Sequence, residues 1–225
     1  MDGGELPTWE EVSRRLRVPF HQGVISQFEG YGDLTELDWD AYRTRYPGIR
    51  RLDRILEAEG DSVNRYQASK QADVPMLGHL FSAAELRSLF DRLGYDVDDE
   101  VWNRTVDYYL RRTSHGSTLS GLVHGLVLAR ARRAEAWSYV HEALEADIAD
   151  IQGGTTGEGI HLGAMAGTLD LVQRGLTGLE TMRSNSSCRR HAGRRRTSSR
   201  ARPRTQAAVT LVYALSSRPG RSASG

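Results

Sequence analysis

Up to residue 180 the apolar residues recur at helical spacing, and nowhere do they alternate convincingly with the two-residue period of a strand. Ile49, Leu52, Ile55 and Leu56 form one such stripe, and Trp137, Val140, Leu144 and Ile148 form another. Start and stop residues bracket the stripes. Thr8 with Glu11 and Ser82 with Glu85 have capping-box spacing, and Asp38 and Asp98 or Asp99 are placed as N-caps. Pro19, Pro47-Gly48, Gly60 and Gly94 break the helical pattern. Pro75 interrupts the apolar run 74–81, so a helix there has Pro75 in its first turn or is kinked by it. The stretch 20–37, with Gly23, Gly30 and Gly32 among Phe20, Phe28 and Tyr31, reads as loop. Residues 160–173 carry Gly163, Ala164, Ala166 and Gly167, which suits a helix packed closely in an interior. The expectation is an all-α chain of about eight helices, with short turns alternating with longer Gly/Ser/Thr loops. That alternation suits helix pairs arranged in a toroid whose long loops gather at one end.

Charge divides the chain. All 29 acids lie at or before Glu180, against 19 bases, whereas residues 181–225 carry 11 Arg and no acid. The acidic body and the Arg/Ser-rich tail are therefore read as separate segments, 1–180 and 181–225. Three readings fit the tail: a basic arm for nucleic acid, a disordered segment, or an out-of-frame translation of a GC-rich gene. The abrupt loss of pattern near Met182-Arg183 favours the last. Cys188 is the only cysteine, which excludes an intrachain disulfide and a cysteine-built metal cluster. No pair of histidines has metal-ligand spacing with an acid between, so no metal is expected. The acidic start of the chain has no apolar signal-like core, and no apolar run approaches the roughly 18 residues of a membrane span. A cytoplasmic location without a membrane partner is the expectation.

Thr113-Ser114-His115-Gly116-Ser117-Thr118-Leu119-Ser120 joins the amphipathic run 101–112 to the apolar run 119–132. Gly116 ends the first, and Ser117 or Thr118 is placed to cap the second. Free backbone amides, hydroxyls, an imidazole and the positive end of a helix dipole would meet there, which is the chemistry of an anion site. An ordinary N-capped loop has the same local composition. Lys70 is the only lysine among 30 basic side chains, as if a compact ammonium were wanted at that position. Coding bias explains a lone lysine equally well. Ile151 to Gly159 is a glycine-rich loop containing Glu158, with His161 just beyond it. Glu158 and His161 are either site-lining groups or a helix-start acid and a core histidine.

Four stretches together carry a resemblance: Lys70-Gln71-Ala72-Asp73-Val74, Arg104-Thr105-Val106-Asp107-Tyr108-Tyr109, the Ser-His-Gly-Ser-Thr-Leu-Ser run from Ser114, and QGGTTGEGIHLGAMAG from Gln152. Over about residues 8–180 they closely resemble glycoside hydrolase family 65, which holds the inverting maltose, trehalose and kojibiose phosphorylases. The resemblance implies an (α/α)6 catalytic barrel, of which residues 1–180 would be the C-terminal half. It also implies phosphorolysis of an α-linked glucose disaccharide, with inorganic phosphate as co-substrate and no cofactor. Lys70 and Gln71 would reach the sugar. Lys70, His115, Gly116 and Ser117 would hold phosphate. The family's general-acid glutamate lies in a Gly-Pro-Asp-Glu-like motif that is not found in this sequence, so no catalytic residue is assigned and the chain alone is expected to be inactive. Full-length relatives would be homodimeric, and a nucleic-acid partner is not expected.

Two alternatives stay open. A trehalase-like hydrolase of the same family would need a second carboxylate as base. A helical binding module would use the basic tail as a nucleic-acid arm.

Overall fold

The computed structural model describes residues 5–131 and 133–179. The tail, and with it the nucleic-acid-arm, disorder and frame readings, lies outside them. Nine α-helices lie among the described residues: α1 Glu5–Arg14, α2 Trp39–Arg45, α3 Leu52–Ala58, α4 Met76–Leu80, α5 Ala83–Leu93, α6 Asp99–Arg112, α7 Thr118–Arg130, α8 Ala136–Glu145 and α9 Leu162–Asp170. A π-turn, Leu171–Leu176, continues α9. The chain is all-α and forms part of a toroid, with α7 packed against α4, α8 and α9.

Local chemistry sets most of the boundaries. Ser82 and Glu85 form the reciprocal capping box, with Ser82 N donating to Glu85 Oε2 at 2.9 Å and Glu85 N to Ser82 Oγ at 3.3 Å. Gly94 closes α5 in the left-handed conformation at φ 81°. Asp98 caps α6 through the amide of Val101 at 2.8 Å. Pro75 stands just before α4, where its missing N–H costs nothing.

Three expectations need correction. The first helix is described from Glu5 to Arg14, so Thr8 lies inside it and does not cap it. Within 20–37, Phe20–His21 pairs antiparallel with Val24–Ile25 through a tight turn at Gln22 and Gly23, both at positive φ. Two-residue strands are too short to display a period. Val24, Ile25 and Tyr31 from this stretch pack with Phe90 and Tyr109 in a buried cluster. The stripe from Trp137 to Ile148 also breaks early, because α8 ends at Glu145; Val140 is buried whereas Ile148 is 88% exposed.

The second cluster joins α7, α8 and α9 through Leu122, Leu126, Val140, Ala143, Ala164 and Leu171. Glycines let these elements approach. A Cβ on Gly125 would stand 2.9 Å from Tyr139 Cβ, and one on Gly167 would stand 2.7 Å from Leu122 Cδ1.

Candidate functional site

The loop between α6 and α7 is built by parallel pairing with the segment that carries Lys70. Ser69 N donates to Arg112 O at 2.8 Å, Ser114 N to Ser69 O at 2.9 Å and Gly116 N to Lys70 O at 2.8 Å. Ser69 is pinned from its other side, its Oγ donating to Gln27 Oε1 at 2.8 Å. Residues 45 positions apart in sequence are thereby set side by side at the start of α7. A Cβ on Gly116 would lie 2.7 Å from Arg50 O and 3.0 Å from Lys70 Cγ, so only glycine permits this approach. Ser117 Oγ caps α7 by accepting from Leu119 N at 3.3 Å.

The Lys70 side chain is more than half exposed, and its ammonium lies 3.6 Å from Asp53 Oδ2. Asp53 is held below the usual carboxylate range, first by its hydrogen bond from Arg51 and then, among weaker causes, by the charge of Lys70. Gln71 is exposed beside it. Because the Gly116 amide already donates to Lys70 O, Gly116 serves this loop by close approach and not as a free donor.

His115 takes φ 55°, a left-handed conformation uncommon outside glycine. Its ring turns inward, toward α7 and α8. Nδ1 is 2.9 Å from Ser120 Oγ, and Nε2 is 3.4 Å from the Tyr139 hydroxyl. The ring of His124 meets it edge-on at 4.8 Å. Burial, then the neighbouring His124, Arg50 and Arg43, pushes the His115 pKa down to about 3. Burial alone takes His124 down to about 4 against a weaker opposing hydrogen bond to Ser120 O. Since a carbonyl only accepts, the 3.1 Å contact to Ser120 O puts the His124 proton on Nδ1. Two neutral imidazoles thus lie beneath the loop, with Lys70, Arg50 and Arg43 among the positive charges around it.

Sequence reasoning did not single out Arg50, Asp53 or Glu142. Arg50 Nη1 donates to His115 O at 3.3 Å and Nη2 to Glu142 Oε1 at 2.8 Å. Arg50 follows a Pro-Gly break and Glu142 sits on an ordinary amphipathic helix, so neither position has a local signal.

The glycine-rich loop is wrapped around two carboxylates. Asp150 accepts from Gly154 N at 2.7 Å and Thr156 N at 3.2 Å. Asp147 accepts from His161 N at 2.9 Å and from His161 Nδ1 at 2.6 Å. The hydrogen bond from His161 is the first cause of the depressed Asp147 pKa. The His161 ring is therefore committed to Asp147, while Glu158 is exposed on a 3-10 turn. What the loop does bring to the start of α7 is Ile151 and Gln152, which line a small cavity with Thr118, Gly121 and Glu142. A larger cavity of about 380 Å³, lined by Leu86, Trp102, Val106 and Val127, lies at the opposite ends of α6 and α7, away from Lys70.

Residues 1–170 match the model of the glycosyl hydrolase family 65 central catalytic domain. An uncharacterized glycosyl hydrolase of Mycobacterium tuberculosis is 64% identical over 176 residues, covering 78% of this chain and 13% of the relative. Trehalose 6-phosphate phosphorylase of Lactococcus lactis is 38% identical over 172 residues, covering 76% of this chain and 22% of the relative. Kojibiose phosphorylase of Thermoanaerobacter brockii is 29% identical over 179 residues, covering 78% and 21%. This chain thus spans about a fifth or less of the length of these relatives. A human-microbiome protein assigned as a kojibiose phosphorylase shares the fold at a TM-score of 0.56 and 22% identity, over 78% of this chain and 22% of that one. In fold and in sequence, the chain belongs to glycosyl hydrolase family 65 and carries part of its central catalytic domain.

Proposed function

We propose that this chain is the phosphate-holding part of an inverting α-disaccharide phosphorylase. The observation that carries the reading is the pairing of 69–70 with 112–116, which sets a lone lysine against Gly116 at the N-terminus of a thirteen-residue helix. The names of the Lactococcus and Thermoanaerobacter relatives, both phosphorylases, support it. In the proposed reaction a carboxylic acid protonates the leaving oxygen. A phosphate oxygen bonds to the anomeric carbon from the opposite face, giving β-glucose 1-phosphate and the free acceptor sugar. Phosphate is already a nucleophile, so the site needs fixed positive charge and donors in place of a general base. Lys70 supplies the charge, Ser117 and the start of α7 supply donors, and Gly116 lets the chain come close. The neutral His115 braces the loop from below. Lys70 and Gln71 also reach the sugar. The general acid comes from residues outside this chain, the chain alone does not turn over, and no cofactor takes part.

A hydrolytic reading is favoured by one observation: the 64%-identical relative is named an uncharacterized glycosyl hydrolase. Placing residues 8–179 into the corresponding stretch of the Lactococcus phosphorylase distinguishes the two. The phosphorylase reading predicts sugar phosphate released only when inorganic phosphate is present. It also predicts that Lys70→Ala raises the phosphate KM by about tenfold or more. Free glucose formed without phosphate would favour hydrolysis.

A further inference from the structure

Arg50 and Glu142 have no part in the reading above, yet they sit on the same loop. Arg50 holds the His115 carbonyl and the Glu142 carboxylate, and its own carbonyl presses on Gly116 beside the Lys70 side chain. The guanidinium fork suits any acceptor that offers two oxygens on one edge, whether carboxylate or phosphate. Glu142 takes one prong of that fork through Oε1, and the His115 carbonyl takes the other. Its Oε1 also lies 3.3 Å from the Cβ position of Gly121, on the wall of the small cavity that Gln152 lines. Gln152 Nε2 is buried and, among the described residues, donates to no acceptor. The carboxylate therefore has a second, unused donor on the cavity it already lines.

We propose that Glu142 stands in for phosphate on Arg50, and that phosphate binding transfers Arg50 to the anion while the carboxylate turns to the Gln152 amide. This rests on the phosphate reading above. No covalent bond changes; one charge-assisted hydrogen bond is exchanged for another. A phosphate dianion between Lys70 and Arg50 outcompetes a singly charged carboxylate because it carries more charge against two cations. The exchange ties the phosphate loop to the start of the glycine-rich loop, so filling one orders the other.

Calorimetric titration of inorganic phosphate into the full chain and its variants tests this. Glu142→Gln is expected to tighten binding by roughly threefold to tenfold, and Arg50→Met to weaken it by about tenfold or more. Gln152→Leu, which removes the receiving donor, is expected to weaken it by about two- to fivefold. Unchanged or weaker binding in Glu142→Gln, with Lys70→Met weakening it by about tenfold or more, overturns the exchange and leaves the phosphate site standing. No phosphate binding by the unsubstituted chain overturns both readings. Should Glu142→Gln fail to fold, Gln152→Leu decides, and unchanged affinity there overturns the exchange.

Discussion

Gly116 is the residue on which the loop turns, and its role is steric. A methyl group there meets a backbone carbonyl and the root of the Lys70 side chain, neither of which can swing away. Gly116→Ala is expected to cost about 1–3 kcal/mol in chemical denaturation, in the range of overpacked sites. The imidazoles beneath it make a second prediction. His115 and His124 stay neutral in the fold down to about pH 3 and 4, whereas unfolded histidine protonates near 6.5. Below pH 6.5 the unfolded chain takes up protons that the native chain refuses, so stability falls as the pH is lowered toward 4. The melting temperature should drop over that window, and His124→Gln should flatten the drop relative to its own value at pH 7. An equal slope in the variant would contradict this account of the buried pair. Lys70 stands out in the sequence as a lone lysine inside a recognisable stretch. Arg50, one arginine among many, acquires meaning only when the fold brings it to His115.

Helix ends were the most legible elements, because a cap is a local contract between residues three apart. Ser82 and Asp98 cap as their spacing predicts. Ser82→Ala should cost about 1 kcal/mol in thermal or urea unfolding, with Ser82→Gly costing less. Thr8 had the same spacing but lies inside the helix Glu5–Arg14. The hairpin at 20–25 was illegible for another reason: two residues per strand leave no period to detect, and its place in the core is set by contacts with Phe90 and Tyr109 far along the chain. The core of α7, in contrast, was plain from its apolar run, although Leu119 at its start is 45% exposed. Gly125 on α7 faces Tyr139 of α8 at backbone-limited distance. Gly125→Ala should push these helices apart and destabilise by about 1–3 kcal/mol, whereas Gly94→Ala acts only through its left-handed φ.

At the scale of the molecule, a part of a toroid leaves apolar side chains uncovered. Leu162 and Leu169 on α9 are 71% and 73% exposed, Leu80 is 60% exposed, and Ile148 is almost wholly exposed. Surfaces of this kind associate. Sedimentation of the purified chain should therefore show concentration-dependent association; a monomer across the micromolar range would contradict it. The toroid itself was legible from alternating loop lengths, whereas the approach of the 113–116 loop to Lys70 needed the pairing of 69–70 with 112–116. That approach is also the most direct point of test. Lys70 is the only lysine and is more than half exposed, so amine acylation read by peptide mass spectrometry reports on this one side chain. Inorganic phosphate should slow acylation of Lys70 by several-fold relative to chloride at equal ionic strength and leave the N-terminal amine unaffected. Equal rates in phosphate and chloride would contradict a phosphate site at Lys70.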